Sequence, residues 1–337
     1  MTVADIIEKA GDGGRLSHEE IVALLHLPAD APDTYRVLAE ANRVSRELSG
    51  NRAEIHGQFA LNLSPCPEEC AFCSFSAAAG VFRDRWTIDP ENAREAAVRL
   101  EAGGANAVFL MAVADFDFGE FLEISGEVRR ALRPETTLIA NVGDRTKAEA
   151  LRMRDAGFAG VYHALRLGEG TDTRIPPERR IRSLEAFREV GLAVGTCVEP
   201  LGPEHSNDEI AERILFAAGL DPAYSGAARR IPVPGSPLEA LGMISELRMA
   251  QVVAVTRLAT PRSVVGNCTH EPCTLGAVAG ANLFWAESGA NPRDTKENTE
   301  EGRGRDVAWC ASLFRETGWS VLEGPSVFYR KVPAGAA

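Results

Sequence analysis

No stretch of the 337-residue chain approaches the roughly 18 consecutive apolar residues of a membrane span. Met1 to Ala10 alternates charge with hydrophobicity and does not run from basic to apolar as a secretion signal does. The expectation is a cytoplasmic protein with no membrane partner. Basic charge is also in short supply: 36 Lys and Arg against 48 Asp and Glu leave −12, spread along the chain. Such a surface repels a phosphate backbone, which excludes nucleic acid as the main partner. Internal repeats, low-complexity tracts and a domain-dividing linker are absent as well. Cysteine is present seven times, an odd number in a chain without a secretion signal, so a disulfide framework is not expected and metal or redox chemistry becomes the better reading.

What is there is an ordinary globular composition, 45% hydrophobic and 25% charged. Residues 1–50 read as a helical preface, with Leu16-Ser17-His18-Glu19-Glu20 opening one helix and apolar spacing of three and four from Thr34 to Leu48. From Glu54 the pattern changes to short apolar strands alternating with amphipathic segments. The strands are expected at Glu54–Asn62, Ala107–Met111, Thr137–Val142, Gly160–His163, Leu192–Val198, Ala227–Pro232, Arg262–Val265 and Asn282–Ala286. Helices are expected between them at Pro90–Ala102, Phe118–Ala131, Lys147–Ala156, Pro177–Val190, Asp208–Ala218 and Leu238–Leu258. This is the pattern of an α/β protein of the (β/α)8 barrel type spanning residues 51–325. A helix at Arg303–Phe314 and an extended segment at Trp319–Lys331 should pack outside, and the tail of 326–337 should fray from Pro333.

The most informative stretch is Ser64-Pro-Cys66-Pro-Glu-Glu-Cys70-Ala-Phe72-Cys73, directly after the first strand. A loop leaving the C-terminal end of a barrel strand lies on the active face, and these gaps can aim three thiolates at three irons of a cubane. With no fourth cysteine in the loop, one iron stays open for an exogenous chelate. The competing readings are a zinc site, which lacks a fourth ligand because His56 falls inside the preceding strand, and inert packing.

With Phe72 before its last cysteine, this C-x3-C-x2-C triplet resembles the signature of the radical S-adenosylmethionine (SAM) enzymes. The resemblance implies that Cys66, Cys70 and Cys73 hold a [4Fe-4S] cluster whose fourth iron takes the amino and carboxylate groups of SAM. Reductive cleavage would then give a 5'-deoxyadenosyl radical that abstracts hydrogen from a small organic substrate. Asn51-Arg52, Cys66-Pro-Glu-Glu-Cys70, Ala279-Gly-Ala-Asn282 and the segment 258–319 look like the biotin synthase group, which includes methylornithine synthase and a hydrogenase maturase. By the same resemblance Asp172 would bind the ribose and Arg180 the methionine carboxylate, with Phe72, Arg166 and Glu169 as further cofactor or substrate contacts. Asp172 also reads as a turn former and Arg180 as a solvated helix charge.

The sequence departs from biotin synthase at its second, sulfur-donating [2Fe-2S] cluster. Three of its ligand positions align with Leu110, Ala140 and Gly195, and its arginine falls near Val265 to Asn267. Cys197, Cys268 and Cys273 lie close by and are read as ligands of a different auxiliary iron-sulfur cluster, or as small buried hydrophobes. His270 beside them is a ligand, a carboxylate binder or a structural residue, and Cys310 reads as packing. Arg293, in Asn291-Pro-Arg-Asp294, is expected at the barrel mouth. The resemblance also implies a reductant such as flavodoxin or ferredoxin and allows a homodimer. The first reaction to expect is sulfur insertion as in biotin synthase. The second is a radical rearrangement or fragmentation without sulfur transfer, and a non-catalytic iron-sulfur protein is the third.

Overall fold

The computed structural model describes residues 2–330, so the end expected to fray from Pro333 lies outside the described residues. Eight strands form the barrel: β1 (Arg52–Ala60), β2 (Ala107–Met111), β3 (Thr137–Asn141), β4 (Gly160–Tyr162), β5 (Ala193–Gly195), β6 (Tyr224–Arg229), β7 (Gly266–Cys268) and β8 (Leu283–Ser288). Each pairs in parallel with the next, and β8 returns to pair with β1, so the sheet closes. Both faces are dry, because helices cover the outside and side chains fill the inside. That is why the strands read as continuous apolar runs, with β2 buried at every position.

Local chemistry sets the helix ends. Ser17 and Glu20 form a capping box where a helix was expected to open, and Ser206 with Glu209 forms another. Pro90 and Pro177 occupy first turns, where a missing N–H costs nothing. Two expectations need correction. The helix expected from Leu238 begins at Glu246, because Gly242 adopts φ 70° and Ser245 caps a new start. The seventh strand is Gly266–Cys268, not Arg262–Val265, because the buried Arg257 guanidinium gathers the carbonyls of Thr260, Pro261 and Val264 into a loop.

Residues after Trp319 do not simply coat the exterior. Among the described residues there only Ser320–Val321 is strand, beside β1; beyond it Phe328 and Tyr329 enter the N-terminal end of the barrel and pack around His56 with Phe109, Tyr224 and Trp285. The backbone N–H of Val327 donates to Glu54 and that of Ser326 to Asn106, at the bottoms of β1 and β2. Glycines make room for this plug: a Cβ on Gly195 would lie 2.4 Å from the Tyr224 ring, and one on Gly266 would meet Tyr224 and Phe328.

The aligned ligand positions also resolve differently. Leu110 and Ala140 belong to the layer between strands and helices, while their neighbours Phe109 and Ile139 fill the barrel. Cys197 and Cys268 lie in the barrel core, whereas Cys273 and Cys310 lie in the outer layer.

Candidate active site

The loop between β1 and the helix Pro90–Ala102 is pinched at its base by a two-strand ribbon, Asn62–Leu63 against Trp86–Thr87. Within it the Cys66 N–H donates to the Phe75 carbonyl (2.8 Å), the Cys73 N–H to the Cys70 carbonyl (3.1 Å) and the Ala77 N–H back to the Cys66 carbonyl (3.1 Å). Other loops hold it from outside: the Ala71 N–H donates to the Asp172 carbonyl, and the Ser74 N–H to that of Pro292. These bonds hold the loop backbone around the three thiols.

Cys66, Cys70 and Cys73 are free thiols, and all three line one cavity at the C-terminal mouth of the barrel. Burial pushes all three thiols up, Cys70 to about 11, so deprotonation must come with metal binding. The cavity wall draws on the loops after all eight strands, for example Val113, Gly143, Glu199, Arg230, His270 and Arg293. Three sulfur donors on one wall, with an enclosed space beside them, fit a cubane with one iron left open to an exogenous chelate.

One buried network orients the wall. Glu169 Oε2 accepts from Arg180 Nε and from the Arg166 backbone N–H, both at 3.2 Å, while the Thr173 hydroxyl holds its other oxygen at 2.7 Å. Asp144 accepts from Arg179 Nε (2.8 Å) and Arg180 Nη1 (3.4 Å) and faces His163 Nε2 (3.0 Å). Arg179 also pairs with Glu68 of the cysteine loop. Burial would raise the Asp144 carboxyl, but His163 and the two arginines outweigh it and hold the group below the usual carboxylate range. Burial lowers His163 to about 4, so the ring is neutral at pH 7. Burial opposes the charge on Arg166, yet Glu169 and Glu199 keep it firmly protonated.

The radical SAM superfamily model matches residues 65–217, from the cysteine loop through the network to the helix Asn207–Gly219. Biotin synthase of Acidothermus cellulolyticus is 28% identical over 275 residues, covering 79% of this chain and 80% of that one. Biotin synthase of Halorhodospira halophila is 28% identical over 283 residues, covering 80% and 85%. This chain carries a radical SAM domain and is similar to the biotin synthases.

Among solved structures, methylornithine synthase superposes with a TM-score of 0.79 at 19% identity, covering 96% of this chain and 98% of that one. The [FeFe]-hydrogenase maturase HydG of Carboxydothermus hydrogenoformans gives 0.77 at 19% identity, covering 98% and 81%. At these identities the superpositions establish the (β/α)8 fold alone. A radical SAM enzyme works with a [4Fe-4S] cluster, SAM, a small-molecule substrate and an electron donor. Among the described residues no helix is long and apolar enough to cross a membrane.

The expected contacts divide by position. Phe72, Arg166 and Arg180 line the cavity of this radical SAM enzyme; Glu169 and Asp172 do not. Glu169 stands behind the two arginines as a positioning residue. The half-buried Asp172 carboxylate packs against Gly168, where a Cβ would lie within 2.1 Å of it, and it is the Asp172 backbone carbonyl that supports the cysteine loop. Cys273 does not converge with Cys197 and Cys268, because its sulfur caps the short helix Thr274–Val278 by accepting from the Gly276 N–H (3.3 Å). His270 takes the third place, with Cys197 and Cys268 in a group whose donor atoms lie within 4.8 Å of one another. Sequence reading missed Asp144, His163, Arg179 and Glu199. They stand past the ends of three different strands or in the next helix, and no local spacing marks them.

Proposed function

We propose that this radical SAM enzyme abstracts hydrogen from a small carboxylate-bearing substrate and rearranges or fragments it without delivering sulfur. The observation that carries the reading is the charge of the cavity wall: five arginines (Arg166, Arg180, Arg229, Arg230, Arg293) against two carboxylates, Glu68 and Glu199. The acids that orient four of these arginines stand behind them, outside the wall. Glu287 holds Arg293 (2.5 Å), Glu271 holds Arg229 (2.6 Å), Glu204 holds Arg230 (2.9 Å) and Glu169 holds Arg180. Arg166 Nη1 and Arg230 Nε are buried without a hydrogen-bond partner among the described residues. The single carboxylate of SAM does not use that many donors, and a bidentate guanidinium is well matched to a second carboxylate.

In this reading Cys66, Cys70 and Cys73 ligate the [4Fe-4S] cluster, Arg180 and Arg166 receive SAM, and Arg293 and Arg229 receive the substrate. When bound, the cluster and SAM supply the 5'-deoxyadenosyl radical. The chain's own residues orient the two carboxylates and keep water from the reacting carbon. Flavodoxin or ferredoxin is the reductant this reading assigns.

Sulfur insertion, expected first from the sequence, becomes the second reading. In its favour stand the 28% identity to biotin synthases and the two barrel thiols of Cys197 and Cys268. Against it, Phe109, Ile139 and the Tyr224 ring fill the barrel where further sulfur ligands would have to stand. The test is anaerobic incubation with SAM, a reductant and single substrates. The lead reading requires 5'-deoxyadenosine whose yield rises with a carboxylate substrate, lysine being the first to try, and no biotin from dethiobiotin. Biotin formation would establish the second reading in its place.

A further inference from the structure

In the barrel core, next to the arginine-lined cavity, is a group of donors that the radical chemistry does not use. The sulfurs of Cys197 and Cys268 are 3.7 Å apart, and a ring nitrogen of His270 completes a trio within 4.8 Å. Two sulfurs bound at about 2.3 Å to one tetrahedral metal stand about 3.8 Å apart, so the observed separation is the edge of a single-ion site. It is far too long for a disulfide, whose sulfurs sit about 2.05 Å apart.

The surroundings are those of a ligand set. His270 Nδ1 faces Glu199 Oε2 at 3.4 Å, while its Nε2 is buried with no partner among the described residues. A carboxylate behind one ring nitrogen with the other left free is the arrangement that orients a metal-binding histidine. Trp285 and Tyr162, with ring centroids at 4.4 and 5.1 Å, clamp the imidazole. Space around the second sulfur depends on Gly226, where a Cβ would come within 2.7 Å of Cys268 Sγ.

We propose that Cys197, Cys268 and His270 hold one thiophilic divalent metal ion, zinc or ferrous iron, whose fourth position opens to the substrate cavity. Two thiolates and an imidazole suit these ions. His270 and Glu199 line the cavity, so water or a substrate heteroatom reaches the fourth position. A sulfide-bridged cluster would ask for donors spread over two irons, and the third cysteine that could have served, Cys273, caps an outer helix instead. The site rests on the sulfur-free reading to this extent: one ion on these two thiols leaves them unavailable to a sulfur-donating cluster.

The probe is cobalt(II), added anaerobically to metal-stripped protein carrying Cys66→Ala, Cys70→Ala and Cys73→Ala, so that the cluster loop offers no thiolate. One cobalt per chain is expected, with tetrahedral d–d bands and sulfur-to-cobalt charge transfer. Adding Cys268→Ser should cut the charge-transfer intensity by about half and weaken binding at least tenfold. His270→Gln should weaken binding about tenfold while keeping the thiolate bands, and Cys273→Ser should change nothing. Binding without thiolate charge transfer, or binding that survives Cys268→Ser, would overturn the proposal. So would acid-labile sulfide retained by the triad-free protein, an outcome that favours sulfur insertion. A Cys197–Cys268 disulfide found in anaerobically isolated protein that takes up no metal would overturn it too. If the triad variant does not fold, zinc-edge X-ray absorption on wild-type protein from zinc-replete cells replaces it. Two sulfurs and one imidazole at the metal support the site; zinc bound by oxygen alone, or no zinc and no iron beyond the cluster's four, contradicts it.

Discussion

Glu169 lies behind Arg180 with Oε2 3.2 Å from Nε, and the same oxygen receives the Arg166 backbone N–H. One carboxylate thus sets two of the arginines that face the cavity, without facing it itself. Glu169→Gln keeps the shape and loses the charge, leaving Arg180 with Asp144 as its one carboxylate partner among the described residues. The expected result is about tenfold weaker SAM binding, roughly 1.4 kcal/mol, with iron content unchanged. Equilibrium binding to the cluster-loaded protein measures it; unchanged affinity, or loss of iron in place of affinity, would contradict the positioning role.

Acid should weaken the fold in a defined window. His163 sits at about 4 in the folded protein against about 6.5 when unfolded. As pH falls below 6.5 the unfolded chain takes a proton that the folded chain refuses, so stability declines until about pH 4. That shift corresponds to roughly 3 kcal/mol. Asp144, held below its usual range, adds stability above its unfolded value near 3.8 that is lost at still lower pH. Urea midpoints from pH 7 to 4 should fall, and His163→Gln should reduce the drop. A flat profile in the wild-type protein would refute the burial of a neutral ring.

Gly195→Ala tests the plug. The new Cβ would stand 2.4 Å from the Tyr224 ring, which is fully buried against His56, Trp285 and Tyr329. A loss of about 1–3 kcal/mol is expected from such overpacking. Tyr224→Leu in the same chain should recover part of it. Equal urea midpoints for Gly195→Ala and wild type would show that the ring does not occupy that space.

Much of this was legible in order of locality. The cysteine triplet, its place after β1 and seven of the eight strands follow from spacing and apolar runs, because those signals lie within a few residues. The β7 position was misread because Arg257, a residue in the preceding helix, pulls 260–264 into a loop, and no period in the local sequence records that. Cys273 looked like a third thiol of an inner group because sequence distance does not tell a barrel face from a helix cap. Asp144, His163 and Arg180 meet only when the barrel closes, so their network is a property of the fold and not of any segment.

The central claim is that three sulfur donors on this cavity wall leave one metal position for SAM. Anaerobically reconstituted, reduced protein should therefore show a changed electron paramagnetic resonance signal on addition of SAM. Coupling to the methionine nitrogen should appear, and both effects should be lost when Cys70 is replaced by alanine. A signal that SAM leaves unaltered in fully loaded wild-type protein would contradict the account.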